Sequence, residues 1–173
     1  NSFENDTLKI KDYYSPKIGE IDMIKTFSYD KEMLPYAINI KGSYKAEEIS
    51  NKLAIKPFLN LPIEKNNLTQ KESNYPVDFE FIKDKQFNAT ISIPNNYKAK
   101  EFPENYHLNN DLVDINLNYS KVQNNIVVSG NYKFKKAVYV PEEYARIKSY
   151  LNIIVNKFNQ YVVLEKTNFL TTK

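Results

Sequence analysis

From Val77 to Phe134 apolar residues return at every second position, and from Tyr144 to Phe158 they return at every third or fourth. No other feature limits the fold so tightly. Side chains alternate between the two faces of a strand, whereas those of a helix line one stripe at a spacing of 3.6. The chain therefore reads as mainly β: an antiparallel β-sandwich with one C-terminal amphipathic helix (about 141–158) packed on it, and a short final strand, Tyr161–Lys166.

The clearest strand pair is a hairpin. Val113, Ile115, Leu117 and Tyr119 share one face of its first arm; Ile126, Val128, Tyr132 and Phe134 share one face of the second. Gln123–Asn125 is the expected turn, since Asn tolerates left-handed backbone. Ahead of it, Val77, Phe79 and Phe81 alternate up to a turn at Lys83-Asp84-Lys85, and Phe87, Ala89, Ile91 and Ile93 alternate back. A strand from Tyr97 toward Leu108 is interrupted by Pro103, which suits an edge or a bulge.

Nearer the start, Leu8, Ile10 and Asp12–Tyr14 read as a short strand closed by Ser15-Pro16. Gly19 opens a second with Ile21, Met23, Phe27 and Tyr29. Tyr36, Ile38, Ile40, Gly42 and Tyr44 outline a third. Lys45–Asn51 fits a helical turn, while Leu53, Ile55 and Phe58 read as a strand. The polar stretch Leu61–Asn74 is a long crossing loop. Nothing else divides the chain, so residues 1–173 are expected to form one domain, with 61–74 as the alternative boundary.

The helix has its own signals. Tyr144, Ile147, Leu151, Ile154, Val155 and Phe158 form one stripe, and Pro141 suits a first helical turn, where its missing N–H costs nothing. Glu142 and Glu143 complement the positive end of the helix dipole, and Lys157 lies near the negative end. So apolar a face must cover something, and a sheet is the economical partner.

Composition then removes whole classes of chemistry. The chain has no cysteine, hence no thiolate ligand, disulfide or cysteine nucleophile. Its one histidine, His107, sits in a turn-rich stretch without the Gly-x-Ser-x-Gly or other companions of a catalytic triad. One His and no Cys leaves no zinc set. Asn109, Asn110, Asp111 and Asp114 offer oxygens, but not the spacing or glycine of a calcium loop. Gly19, Gly42 and Gly130 are isolated, so no phosphate-cradling loop exists. Asp78 and Glu80 share an outward strand face, which is ordinarily solvated and becomes hydrolytic only in a cleft. A non-enzyme without cofactor or metal is expected. The net charge of +3 comes almost wholly from lysine, Arg146 being the sole arginine, which argues against a nucleic-acid reader. No stretch approaches the roughly 20 apolar residues of a membrane span. Asn1–Asp6 lacks signal-peptide character, and the start without Met is expected to be a cut or processed end.

What remains is binding. The chain holds 14 Tyr, an amphipathic residue favoured at interfaces, and Tyr13, Tyr14, Tyr75, Tyr97 and Tyr106 fall in or near expected turns. They are the candidate ligand platform for a glycan or peptide. The lack of Trp weakens sugar stacking, and aromatics in a β protein mostly serve its core.

The C-terminal half resembles a known family. Tyr75-Pro-Val-Asp-Phe79, Ile93-Pro-Asn-Asn-Tyr97 with Phe102-Pro-Glu104, the hairpin Asn116–Phe134 and Val140-Pro-Glu-Glu-Tyr-Ala145 leading to Val162-Val-Leu-Glu-Lys166 carry the likeness over roughly the last hundred residues. It is similar to the C-terminal β domain, of unknown function, that follows a transglutaminase-like (papain-fold) core in large bacterial extracytoplasmic proteins. Two positions depart from the pattern: Asn66-Asn67-Leu68 stands for an Asn-Pro-Phe run, and Ser73 for an Arg, so the loop must be held differently or move. The resemblance implies an extracytoplasmic accessory domain packing on a neighbouring domain of the same chain or on another protein, with any catalytic set in the upstream core. Such a role predicts an exposed apolar patch near the N-terminus. The alternative, a carbohydrate- or peptide-binding module, predicts a groove lined by several of the five tyrosines.

Overall fold

The alternating segments pair as antiparallel strands, and the helical stripe forms a helix, so the fold is mainly β with one C-terminal helix and a final strand. The computed structural model describes residues 7–18, 20–27, 37–43, 46–59 and 61–167. They fall into two compact units, Asn1–Ala46 and Glu47–Lys173.

In the first unit, helix α1 (Thr7–Ile18) precedes strands β1 (Glu20–Phe27) and β2 (Ala37–Ser43). The strands pair from Glu20↔Ser43 to Phe27↔Ala37, with one irregularity between Ile21 and Met23. The strand expected over Leu8–Tyr14 is helical instead. Two apolar residues two apart fit either period, and Leu and Lys are good helix formers. Pro16, expected to close a strand, lies in the last turn of α1. The expected strand members Tyr29, Tyr36 and Tyr44 lie outside the described residues.

The second unit holds two four-stranded sheets and a two-stranded ribbon. Its strands are β3 (Glu47–Ile49), β4 (Lys52–Ile55), β5 (Val77–Asp78), β6 (Asp84–Ser92), β7 (Tyr97–Glu101), β8 (Tyr106–Asn109), β9 (Val113–Val122), β10 (Asn125–Phe134), β11 (Val138–Tyr139) and β12 (Val162–Lys166). A short helical run, Pro141–Glu143, leads into helix α2 (Tyr144–Phe158). One sheet has the order β6-β10-β9-β8, the other β3-β4-β12-β7, and β5 pairs with β11.

Three connections explain that order. Within Lys45–Asn51, which fitted a helical turn, Glu47–Ile49 is β3 and Ser50–Asn51 a tight turn, Lys45 lying outside the described residues: Ser50 and Asn51 both adopt positive φ, 50° and 65°, the backbone that a two-residue hairpin turn with the strands' own twist requires. Pro103 marks more than a bulge, because β7 pairs with β12 in one sheet while β8 pairs with β9 in the other. The return of Phe87–Ile93 does not pair with Val77–Phe81. Asp78 Oδ1 accepts the Glu80 N–H at 2.7 Å and Glu80 turns left-handed, φ 64°, so β5 ends after two residues and β6 pairs with β10. The final strand, β12, lies between β4 and β7.

The β9–β10 hairpin is as expected, in register from Val113↔Phe134 to Val122↔Asn125. The left-handed residue of its turn is Gln123, φ 54°, rather than an Asn. Asn124 spends its side chain on the Ile93 carbonyl, 2.7 Å away. Ile115, Leu117, Ile126 and Val128 are fully buried, as are Ile147 and Ile154 of α2.

α2 lies against β9 and buries Tyr144, Ile147, Leu151, Ile154 and Phe158, while Val155 is half-buried. Each fully buried Ile, Leu or Phe contributes roughly 1.5–3 kcal/mol relative to exposure. Phe158 meets Phe58, Phe87 and Tyr132 with ring centroids 5.7–6.1 Å apart. From Tyr132 the ring contacts continue through Phe134 to Phe79, just after β5, and to Tyr139 of β11. Tyr139 is fully buried and fully bonded: its hydroxyl donates to the Leu112 carbonyl at 3.0 Å and accepts the Lys136 N–H at 2.9 Å.

Candidate functional site

Residues 61–76 have no regular structure, yet they are held along α2 at several points. Asn66 Nδ2 donates to the Lys148 carbonyl at 2.9 Å and to Asn152 Oδ1 at 2.8 Å, while its Oδ1 accepts the Leu68 N–H. Lys148 Nζ donates to the carbonyls of Thr69 and Gln70 at 3.0 and 2.6 Å. The Tyr144 hydroxyl donates to the Gln70 carbonyl, Asn159 Nδ2 to that of Ile63, and the Tyr132 hydroxyl to that of Pro62. Each supplies a donor to a carbonyl that a strand or helix would otherwise have satisfied. Ser73, standing where the resemblance leads one to expect Arg, closes a local turn: its Oγ donates to the Tyr75 carbonyl and accepts the Tyr75 N–H. The loop is thus a strap fastened chiefly from the helix side.

Between the strap and the start of α2 lies an open cleft of about 320 Å³. Asn67, Thr69, Gln70, Ser73, Asp78 and Tyr144 contribute its polar lining. Amides and hydroxyls of this kind hydrogen-bond a polar ligand but activate no nucleophile. The one lining carboxylate, Asp78, already bonds its own turn. The sequence reading missed Asn66, Gln70 and Lys148; the departure at Asn66-Asn67-Leu68 was the available signal.

Of the five candidate tyrosines, two belong to the first unit and three to the second. Tyr13 and Tyr14 form an edge-to-face pair, centroids 5.0 Å apart, on α1. Tyr97 opens β7 opposite Lys166, and Tyr106 opens β8 opposite Leu117 in the other sheet, with Lys157 Nζ 4.9 Å from its ring centroid. Tyr75, 78% exposed, stands between the cleft residues Ser73 and Pro76. Within the second unit no shared platform joins Tyr75, Tyr97 and Tyr106.

His107 is exposed and its Nδ1 contacts Asn116 Oδ1; Asn116 Nδ2 in turn donates to Asp114 Oδ1 at 2.7 Å. Asn110 Oδ1 accepts the N–H groups of Leu112 and Val113, and Asp111 pairs with Arg146 at 2.8 Å. Asn109 Oδ1 accepts from Lys135 Nζ at 2.7 Å, so each of the four residues Asn109, Asn110, Asp111 and Asp114 already has a protein donor on a side-chain oxygen.

The groups with shifted ionisation belong to residues that do not line the cleft. A hydrogen bond from Arg146 holds Asp111 below the usual carboxylate value, and hydrogen bonds from Lys136 and Lys100 do the same for Glu143 and Glu165. Burial pushes Tyr119 and Tyr132 up to about 12 and raises Tyr139. These are the marks of structural ion pairs and core phenols.

A family model matches residues 51–164. The chain belongs to the DUF3858 family, a domain of unknown function with a solved structure. The match starts in the β3–β4 turn and ends in β12, so the strap, the cleft and α2 all lie inside the DUF3858 region. Among solved structures, one described as a putative protease from Parabacteroides distasonis superposes with a TM-score of 0.56 at 12% identity. That likeness covers 67% of this chain and 24% of the other, and it concerns the fold alone. The chain thus spans about a quarter of the length of that structure. No functionally curated protein matches the sequence.

Proposed function

We propose that this DUF3858 chain is a non-catalytic accessory domain of a larger bacterial extracytoplasmic protein, one whose catalytic machinery lies in a transglutaminase-like core. The observation that carries this reading is the match to a fraction of a much longer chain described as a putative protease. Two others support it. The sequence has no cysteine and a single histidine, and that histidine faces an amide rather than a nucleophile. Its ionisable groups with displaced titration serve ion pairs and the core. The role is to pack beside a catalytic neighbour or to hold a partner protein. Incubating the 173-residue chain with amide, ester and glycoside substrates should give no turnover above buffer. Turnover that disappears in His107→Ala would contradict the proposal.

A second reading, a carbohydrate- or peptide-binding module, draws on the polar cleft beside the exposed Tyr75 ring. Backbone amide shifts of residues 67–78 titrated with oligosaccharides and short peptides would test it. Saturable shifts weakened by Tyr75→Ala and Gln70→Ala would favour binding; unchanged shifts would remove it.

A further inference from the structure

We propose that the free edge of β6 docks a second copy of this chain, the two β6 strands pairing antiparallel about a two-fold axis at Asn88. β6 ends its sheet, with β10 on one side and no strand on the other among the described residues. The direction of its free backbone groups follows from its ladder. The Ile93 N–H donates to the Asn124 carbonyl and the Phe134 N–H to the Lys83 carbonyl, so odd-numbered residues bond toward β10. Hydrogen-bonding direction alternates along a strand, which leaves the N–H and C=O groups of Asp84, Gln86, Asn88, Thr90 and Ser92 pointing outward.

Exposed edges ordinarily carry guards: short length, lysines, proline or a bulge. The other ends of the two four-stranded sheets carry them. β3 has three residues, β8 has four, and β7 bears Lys98, Lys100 and an irregular register against β12. β6 has nine residues in unbroken register, no proline, and charges only at Asp84 and Lys85. Beneath it Phe87, Ala89 and Ile91 are half-buried, whereas Ile126 and Val128 on β10 are fully buried. The row next to the edge is left partly uncovered.

The sequence of the edge fits itself. Pairing about Asn88 sets Asn88 against its symmetry mate, Gln86 against Thr90, Phe87 against Ala89, Lys85 against Ile91 and Asp84 against Ser92. No like charges meet, Asn88, Gln86/Thr90 and Asp84/Ser92 set polar against polar, Phe87 meets Ala89 on the inner face, and Lys85 against Ile91 is the one mixed pair. A strand of foreign sequence would need no such symmetry, which selects a second copy.

The absence of native cysteine makes the register directly testable. Hydrogen-bonded antiparallel partners have Cα atoms about 5.5 Å apart, within disulfide reach. Asn88→Cys should therefore cross-link to its own copy under mild oxidation. Thr90→Cys, whose mate lies four residues along at about 3.4 Å per residue, should not. Light scattering on the unmodified chain should show mass rising with concentration from 20.3 kDa toward twice that value. Asn88→Pro, which removes the central outward N–H, should stay at the lower mass with the same circular dichroism. A constant 20.3 kDa up to the solubility limit, or equal cross-linking by both cysteine variants, would overturn the proposal.

Discussion

A Cβ added at Gly130 would stand 2.8 Å from Phe158 Cε1 and 3.0 Å from Leu117 Cδ1. The ring of Phe158 is 1% exposed and packs against Phe58, Phe87 and Tyr132. Gly130→Ala is therefore expected to destabilise the fold by about 1–3 kcal/mol, measured by denaturant titration, through overpacking alone. In the sequence that glycine was legible only as an isolated one; its task depends on a ring that arrives from α2. Tyr132 makes a different prediction. Burial raises its phenol to about 12 from 10.0, so the protonated form favours the folded state. That contribution is fully present below pH 10 and is lost as the pH rises toward 12, roughly 2–3 kcal/mol in all. Tyr132→Phe should lessen the fall in melting temperature over that interval, although it also removes the bond to the Pro62 carbonyl. An unchanged alkaline fall would count against the buried phenol.

At the scale of elements, the strap is fastened by side chains that do not belong to any strand. Asn66→Ala removes two donated bonds and one accepted bond, and leaves the Leu68 N–H without its partner. A cost of about 1–3 kcal/mol is expected, with faster amide exchange over residues 64–74 and little change in β9 and β10. The same exchange experiment on Lys148→Met should free Thr69 and Gln70 first. Alternation made β6, β9 and β10 legible in the sequence, because period two reports a strand's faces. It does not report a partner. The left-handed Glu80 and the aspartate beside it divert the chain after β5, and the sheet change at Pro103 has no signature beyond the proline itself. α2 was legible almost to the residue, because five buried positions repeat on one stripe. α1 was not, since a short run of lysines and aliphatics fits both periods.

For the whole molecule, the cleft was the least legible feature, because it is formed by a strap and a helix start that lie about seventy residues apart in sequence and meet through backbone carbonyls. The five tyrosines were chosen for lying near turns, but Tyr97 and Tyr106 open strands of different sheets. The hydrogen bonds, ring contacts and family match described for Glu47–Lys173 lie within that unit. Residues 47–173 expressed alone should therefore give a single cooperative thermal transition; a broad, non-cooperative one would mean that the first unit completes the core. On the proposed accessory role, chemistry is done elsewhere in a longer protein. The most direct test of that role is the hydrolytic rate of such a protein, measured with and without residues 47–167. The role predicts that kcat on a small peptide substrate survives the deletion, with losses confined to stability or partner binding. Loss of kcat by orders of magnitude in a deletion variant whose core remains folded would contradict it.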